Sequence, residues 1–504
     1  MQLRAFLAGA ALVPAIVLAG CATPAAPDPI AGAERTVPLI TSQPTVRVAG
    51  GMIRGSVTDG DFVFRGIPFA APPTGERRWT PPFPVQDWDG VRDTTRNAPA
   101  CPQYSEGWNQ AQADFWDEDC LTIDVRTQSL DGTRPVMVWI HGGSNRAGSG
   151  GGPADSNLDD HGIVHVSIQY RLGLLGFLSH PQLSAAQGGH SGNYGLMDQV
   201  AGLRWVRDNI AAFGGDPDNV TIYGESAGGL DVALLLSSPL AEGLFDRALI
   251  QSATPTGGSH LVPLAVAETR GSQLGKIEDL RDLPAAELLE LQRRYEAGAP
   301  RLTPFLQPTL DGKVLPKAPS LLLEEREPVP VVLGTDRVEF TGPDEGDAYI
   351  DLVLAYFGEA AEEALELYAS EDADPRRGGA GTRAISDAVF HCPADELADL
   401  LARNDFPTWR YEFDVGENGG LTRHAYEIGF VFGREPVGGG VQMQDYWAAF
   451  ATAGDPNGAT PIADPDRPFW RRYDPAAPQQ LEFRQDAVEM EPGRQRAAAC
   501  PLVF

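Results

Sequence analysis

The chain reads as an α/β protein: a large, mostly parallel sheet covered by helices, with helical insertions forming a cap or gorge. Three observations predict it. Apolar runs of strand length alternate with helical stretches through the body of the sequence, the pattern that buries parallel strands between helix layers. The clearest runs, PVMVWI at 135–140 and GIVHVSIQY at 162–170, are nearly continuous rather than polar on every second residue, as strands covered on both faces are. A third run, NVTIYGESAGG at 219–229, enters a glycine turn and leaves it as AGGLDVALLL at 227–236, a helix-like stretch.

In chain order, residues 1–20 carry Arg4 and then an apolar stretch too short to span a membrane as a mature helix, which reads as a secretory signal. Its end, Leu18-Ala19-Gly20-Cys21, resembles the lipobox of bacterial lipoproteins, in which cleavage leaves the cysteine as a lipidated N-terminus. That resemblance implies an exported chain held at the cell envelope or in the periplasm by acyl chains on Cys21. Residues 21–45 are rich in Pro, Ala and polar residues and read as a linker, so the folded domain is expected over 46–504.

Within that domain the expected central strands lie at 135–140, 162–170, 220–223, 248–251 and 329–333, the last starting at or just after Pro330 because proline donates no ladder hydrogen bond. Residues 409–415 read as a further strand. Residues 198–213 place Val200, Leu203, Val206 and Ile210 at helical spacing, a crossover helix with one buried stripe. The stretches 260–328 and 341–405 read as helical insertions. No period of 20–50 residues recurs, which argues against a repeat protein.

Of the 504 residues 42% are hydrophobic, enough for a sizeable core, and no internal apolar run reaches the ~18 residues of a membrane span. The net charge of −30, from 39 basic and 69 acidic residues, argues against nucleic-acid partners and anionic membrane surfaces. Membrane contact is expected only through a lipid on Cys21.

Gly224, Ser226 and Gly228 form G-x-S-x-G, in which glycines allow a sharp strand-to-helix turn that exposes the serine hydroxyl. A hydroxyl is a weak nucleophile at neutral pH and needs a base, an orienting acid and donors for a developing oxyanion. In such sheets the order is serine, acid, histidine. Past Ser226 lie His260, His391 and His424. His260 leaves no room for an intervening strand and acid, and His391 abuts Cys392. His424 follows a strand-like run and a glycine-containing loop, and is the expected base. Glu339, six residues past the 329–333 run, is the expected acid, with Glu345 as its competitor. His141-Gly142-Gly143-Ser144 follows the strand ending at Ile140, so the N–H groups of Gly143, Ser144 and Ala227 are the expected oxyanion donors. No G-x-x-x-x-G-K-[ST] phosphate loop occurs, and no paired Cys or His shows metal-ligand spacing, so neither cofactor nor metal is expected.

Longer segments carry a resemblance. FRGIPFAAPPTGERRW (64–79), EDCLTIDV (118–125), YRLGLLGFLS (170–179), GNYGLMDQ (192–199), FGGDPDNVTIYGESAGG (213–229) and YWAAFATAGDPN (446–457) make the chain similar to the type-B carboxylesterases, the cholinesterase-like branch of the α/β-hydrolases, from about residue 46 to the end. The resemblance implies an α/β-hydrolase fold and hydrolysis of small-molecule carboxylic esters through an acyl-enzyme, with no cofactor. It puts nucleophile, acid and base on Ser226, Glu339 and His424, the oxyanion donors on Gly143, Ser144 and Ala227, and supporting positions on Glu225 and Ser252. It also implies disulfides pairing Cys101 with Cys120 and Cys392 with Cys500, leaving Cys21 over. Three positions depart from the family pattern. Ser144 replaces the third glycine of the oxyanion loop. Val338-Glu339-Phe340 stands where Asp-Glu-Gly is usual, while an Asp-Glu-Gly occurs at 344–346. Asp231, expected to be structural, replaces a small polar residue. Trp108, Phe115 and Trp116 are candidates to line an entrance. Because cholinesterase-like domains also serve as adhesion modules, a non-catalytic surface protein is one alternative, against which the complete set of catalytic residue types weighs; an esterase specialised for a particular polyester, toxin or drug ester is the nearer one. The natural ester and the oligomeric state are not legible.

Overall fold

The computed structural model describes residues 43–151, 156–255, 261–298, 306–370, 375–433, 436–459 and 467–503. The signal, Cys21, most of the linker and His260 lie outside the described residues.

An eleven-stranded sheet organises the molecule. Its strands are β1 (Ser56–Thr58), β2 (Asp61–Pro68), β3 (Thr122–Thr127), β4 (Arg134–Ile140), β5 (Val164–Ile168), β6 (Gly215–Glu225), β7 (Arg247–Gln251), β8 (Val331–Asp336), β9 (Thr408–Asp414), β10 (Gln479–Arg484) and β11 (Val488–Pro492). Across the sheet they lie in the order β11-β10-β9-β8-β7-β6-β4-β5-β3-β2-β1. Strands β4 to β10 run parallel to one another, whereas β1, β2, β3 and β11 pair antiparallel at the two ends. The expected parallel strands are all present, and β8 does begin at Val331, just past Pro330. The antiparallel strands at the ends were not anticipated.

Side chains alternate across this sheet and build a core on each face. From β4, Val136, Val138 and Ile140 join one cluster with Ile222, Ile250 and Leu333, while Met137 and Trp139 join the other with Tyr223, Leu249 and Val332. Helices fill the crossovers. Those that matter here are α1 (Tyr194–Asn209), α2 (Ala227–Ser237), α3 (Ala285–Gly298), α4 (Gly346–Phe357), α5 (Ala361–Ser370), α6 (Ala380–Ser386), α7 (Cys392–Arg403) and α8 (Met443–Ala453). The crossover helix α1 starts at Tyr194 rather than 198, ends in a 3-10 turn over Ile210–Phe213, and its first half is buried all round rather than along one stripe. The insertions are helical as expected, α3 packing over the 173–178 segment and α4 to α6 forming a satellite core of their own.

Two disulfides staple the periphery, Cys101–Cys120 and Cys392–Cys500. Among the described residues, no helix is long and apolar enough to cross a membrane.

Candidate active site

Strand β6 ends at Glu225 and helix α2 begins at Ala227, leaving Ser226 alone in the turn with φ 56° and ψ −126°. A non-glycine residue in that region costs about 1–3 kcal/mol and persists only where its surroundings impose it. Backbone contact imposes it here. A Cβ on Gly228 would lie 2.1 Å from the Ile140 carbonyl oxygen, and one on Gly224 would lie 2.6 Å from the carbonyl oxygen of Gly228. The Ser226 N–H donates to the Gln251 carbonyl at 2.9 Å. The hydroxyl therefore projects from a tightly packed elbow at the C-terminal edge of the parallel strands.

Two loops bring partners to it. His424 follows β9, and its Nε2 lies 2.8 Å from Ser226 Oγ. Its Nδ1 lies 2.6 Å from Oε2 of Glu339, which follows β8. The same residues are joined through the backbone, the His424 N–H donating to the Glu339 carbonyl at 3.0 Å. Glu339 is fixed in turn: Oε1 accepts from the Asp336 N–H at 3.0 Å, and its own N–H donates to Ser386 Oγ at 3.2 Å. Glu345 is exposed at the start of α4, so the bond to His424 belongs to Glu339. His391 is buried elsewhere, its ring between Thr335 Oγ1 and the Arg337 carbonyl, and burial together with the Arg496 charge holds it well below the ordinary histidine range.

Glu225, a supporting position by resemblance, reaches the His424 ring itself. It is buried with Oε1 3.2 Å from His424 Nε2. Burial pushes its carboxyl up to about 7, the His424 charge opposing and the Glu339 charge adding. Burial also disfavours a charged His424, but the carboxylates of Glu225 and Glu339 outweigh it and raise the imidazole to about 9. Ser252, fully buried with φ 50°, donates its N–H to the Gly334 carbonyl and accepts from the Asp336 N–H at 3.4 Å, bracing the turn that leads to Glu339.

Sequence reasoning missed three groups around His424. The rings of Phe340 and Phe390 sit 4.7 and 5.1 Å from the imidazole centroid and wedge it in place. Glu427, buried nearby, accepts from the Tyr411 hydroxyl at 2.7 Å and from Gln251 at 3.1 Å, and burial pushes it up to about 8. Nothing in the spacing of these residues marks them: Phe340 and Glu427 come from loops and Phe390 from the π-helical turn Asp387–His391.

On the other side of Ser226 runs the loop after β4. A Cβ on Gly142 would stand 2.5 Å from the Glu225 carbonyl oxygen and 3.1 Å from Ser226 Cβ, so the loop crosses directly beside Ser226. Gly143, Ser144 and Asn145 have φ of 105°, 57° and 55° in succession. The N–H groups of Gly143, Ser144 and Ala227 donate to no acceptor among the described residues. Beneath them His141 stacks on Tyr170 at 4.4 Å, and burial lowers it to about 4, which keeps it neutral. The loop is also tied to the insertions: Gln307 donates to the Ser144 carbonyl at 3.0 Å, and Arg146 pairs at 3.2 Å with Glu296 of α3. Trp108, from the Cys101–Cys120 loop and itself exposed, presses its ring to 3.1 Å from where a Gly143 Cβ would be; Phe115 is more exposed still and Trp116 half-buried. Asp231 is buried on α2 and bonded to Asn145 and Gln199.

A serine elbow at the edge of a parallel sheet, with an acid and a histidine delivered by later strands, defines an α/β-hydrolase. The sequence profile of the carboxylesterase family matches residues 42–499, and the chain belongs to that family as a serine carboxylesterase. It is 35% identical over 463 residues to the fumonisin B1 esterase of Sphingopyxis macrogoltabida, spanning 82% of each chain. To the para-nitrobenzyl esterase of Bacillus subtilis it is 34% identical over 453 residues, 81% of this chain and 89% of that protein. Among solved structures, a Geobacillus stearothermophilus carboxylesterase superposes with a TM-score of 0.76 at 32% identity, covering 91% of this chain and all of that one.

Proposed function

We propose that the chain hydrolyses small-molecule carboxylic esters through an acyl-enzyme on Ser226. As Ser226 Oγ attacks the ester carbonyl, His424 Nε2 takes its proton, and the Gly143, Ser144 and Ala227 amides receive the oxyanion. The imidazolium gives that proton to the departing alcohol, leaving an ester on Ser226. Water enters, His424 deprotonates it, and the same sequence releases the carboxylic acid and restores the serine. Glu339 keeps the imidazole in the tautomer that presents Nε2 to the hydroxyl and, with Glu225, stabilises the imidazolium formed in each half-reaction.

The observation that carries this reading is the continuous relay from Ser226 Oγ through His424 to Glu339 Oε2, with contacts of 2.8 and 2.6 Å. The relatives include a fumonisin B1 esterase, a para-nitrobenzyl esterase and a phenmedipham hydrolase, which supports a carboxylic ester or related acyl group as substrate and leaves its alcohol and acyl parts to experiment. Ser226→Ala is expected to fold normally and to lose p-nitrophenyl acetate turnover by several orders of magnitude, about 10⁴-fold or more. Turnover unchanged from wild type would remove Ser226 from the mechanism.

The N-terminal sequence supports export and lipid attachment at Cys21 as part of the same proposal. Cys21→Ala should then move the protein from the membrane pellet to the soluble fraction; a pellet that holds both forms equally would defeat the anchor.

A further inference from the structure

In the loop over Gly143, Ser144 and Asn145 three successive residues lie at positive φ, and two of them are not glycine. Such a turn holds only when other contacts fix it. Asn145 receives those contacts. It is fully buried, its carbonyl accepts from the Gly173 N–H at 2.7 Å, and its Oδ1 lies 3.2 Å from the Tyr170 hydroxyl. Its Nδ2 donates to Asp231 Oδ1 at 3.1 Å.

Asp231 is itself fully buried, and its other oxygen accepts from Gln199 Nε2 of α1 at 2.5 Å. Its two hydrogen-bond partners are thus both neutral side-chain amides. A carboxylate desolvated on that footing is costly, and packing alone does not call for one. What it adds is connection. Asp231 stands on α2, the helix whose first residue, Ala227, offers one of the proposed oxyanion donors, while Asn145 directly follows the residue that offers another. The Asp231–Asn145 bond fastens the two segments together.

We infer that Asp231 is a positioning residue for ester hydrolysis: through Asn145 it locks the strained Gly143–Ser144 turn against α2, so that N–H donors from two distant segments converge on one oxygen. The inference rests on the proposed oxyanion hole. Asp231 touches no reacting atom and acts only on the geometry of the donors. A serine at this position is too short to reach Asn145. An asparagine keeps the acceptor for Asn145 and turns its amide hydrogens toward Gln199, whose buried Oε1 has no hydrogen-bond partner among the described residues and can take them once that amide turns over.

The test compares Asp231→Ser and Asp231→Asn with wild type, using p-nitrophenyl acetate turnover and the inhibition constant of an aryl trifluoromethyl ketone. That probe adds to the serine and places an oxyanion in the hole. Asp231→Ser is expected to lower kcat about 10- to 100-fold with KM within about twofold, and to weaken the ketone by the same factor as kcat/KM, the signature of an interaction made in the transition state. Asp231→Asn is expected to restore both to within about threefold. If the Asp231→Ser chain does not fold, Asn145→Ser reads the same bond from its other end, with the same losses expected. Wild-type kcat and ketone affinity in the folded Ser variant, or a rise in KM alone, would overturn the inference. Ser226→Ala distinguishes this outcome from failure of the functional reading, because loss of turnover there leaves the acyl-enzyme standing while only the role of Asp231 falls.

Discussion

The two sides of the site are held by different forces. On the Ser226 side, Ser226 and Gly142 are placed by backbone against backbone, and the glycines mark where one segment passes another too closely for a side chain. On the base side, His424 hangs from a loop and is placed by two carboxylates and two aromatic rings. The first arrangement is rigid and leaves a local signature in the sequence. The second is an electrostatic and packing cage assembled from residues far apart in the chain, and it sets the proton affinity of the base as well as its position.

Perturbing each side separately tests this contrast. The largest effect is expected from Glu339→Gln, which keeps the shape of the cage but removes the charge that fixes the histidine tautomer. kcat should fall about 10⁴-fold while the melting temperature changes little, and a fall of only a few-fold would show that Glu225 or Glu427 can stand in. Gly228→Ala attacks the other side, pushing a methyl into the Ile140 carbonyl. Overpacking of this kind costs about 1–3 kcal/mol or more, so a lower melting temperature and weaker labelling of Ser226 by a fluorophosphonate are expected together. A variant that melts and labels like wild type would mean the elbow is looser than its contacts imply. The smallest effect, and the sharpest, belongs to Glu225→Gln. Only the neutral imidazole can accept the serine proton, so a raised His424 pKa moves the acid limb of kcat/KM to higher pH. Removing the Glu225 charge should lower that pKa and shift the limb toward lower pH by about one unit, each unit being 1.36 kcal/mol of differential interaction. An unmoved limb would assign the raised proton affinity to Glu339 and Glu427.

What the sequence made legible follows the same division. The elbow, the glycine loop after β4 and the parallel strands are written in local patterns of apolar runs and glycines. The antiparallel edges are not, because their buried strands carry charge. In β3, Arg126 is paired at 2.6 Å with Asp61 and at 3.1 Å with Asp159, and Asp124 accepts from the Gly66 N–H at 2.7 Å. In β10, the parallel strand on which antiparallel β11 pairs, Glu482 is buried against Arg337. Strands of that composition read as exposed loops until their partners are known. Glu427, Phe340 and Phe390 are unreadable because nothing local in the sequence ties them to His424, and Asp231 stands out only as a departure from a family pattern. Its link to Asn145, 86 residues earlier, needed coordinates.

The far end of the chain carries one more lesson for anyone handling this protein. Arg496 is buried and bonded at 2.5 Å to Glu412, and Cys500 just beyond it is covalently fastened to the first residue of α7. The tail is a keystone rather than a loose thread. Trimming it by ten residues would strip a cation from a carboxylate sealed inside the sheet, so a purification handle must leave the native sequence around Arg496 and Cys500 intact.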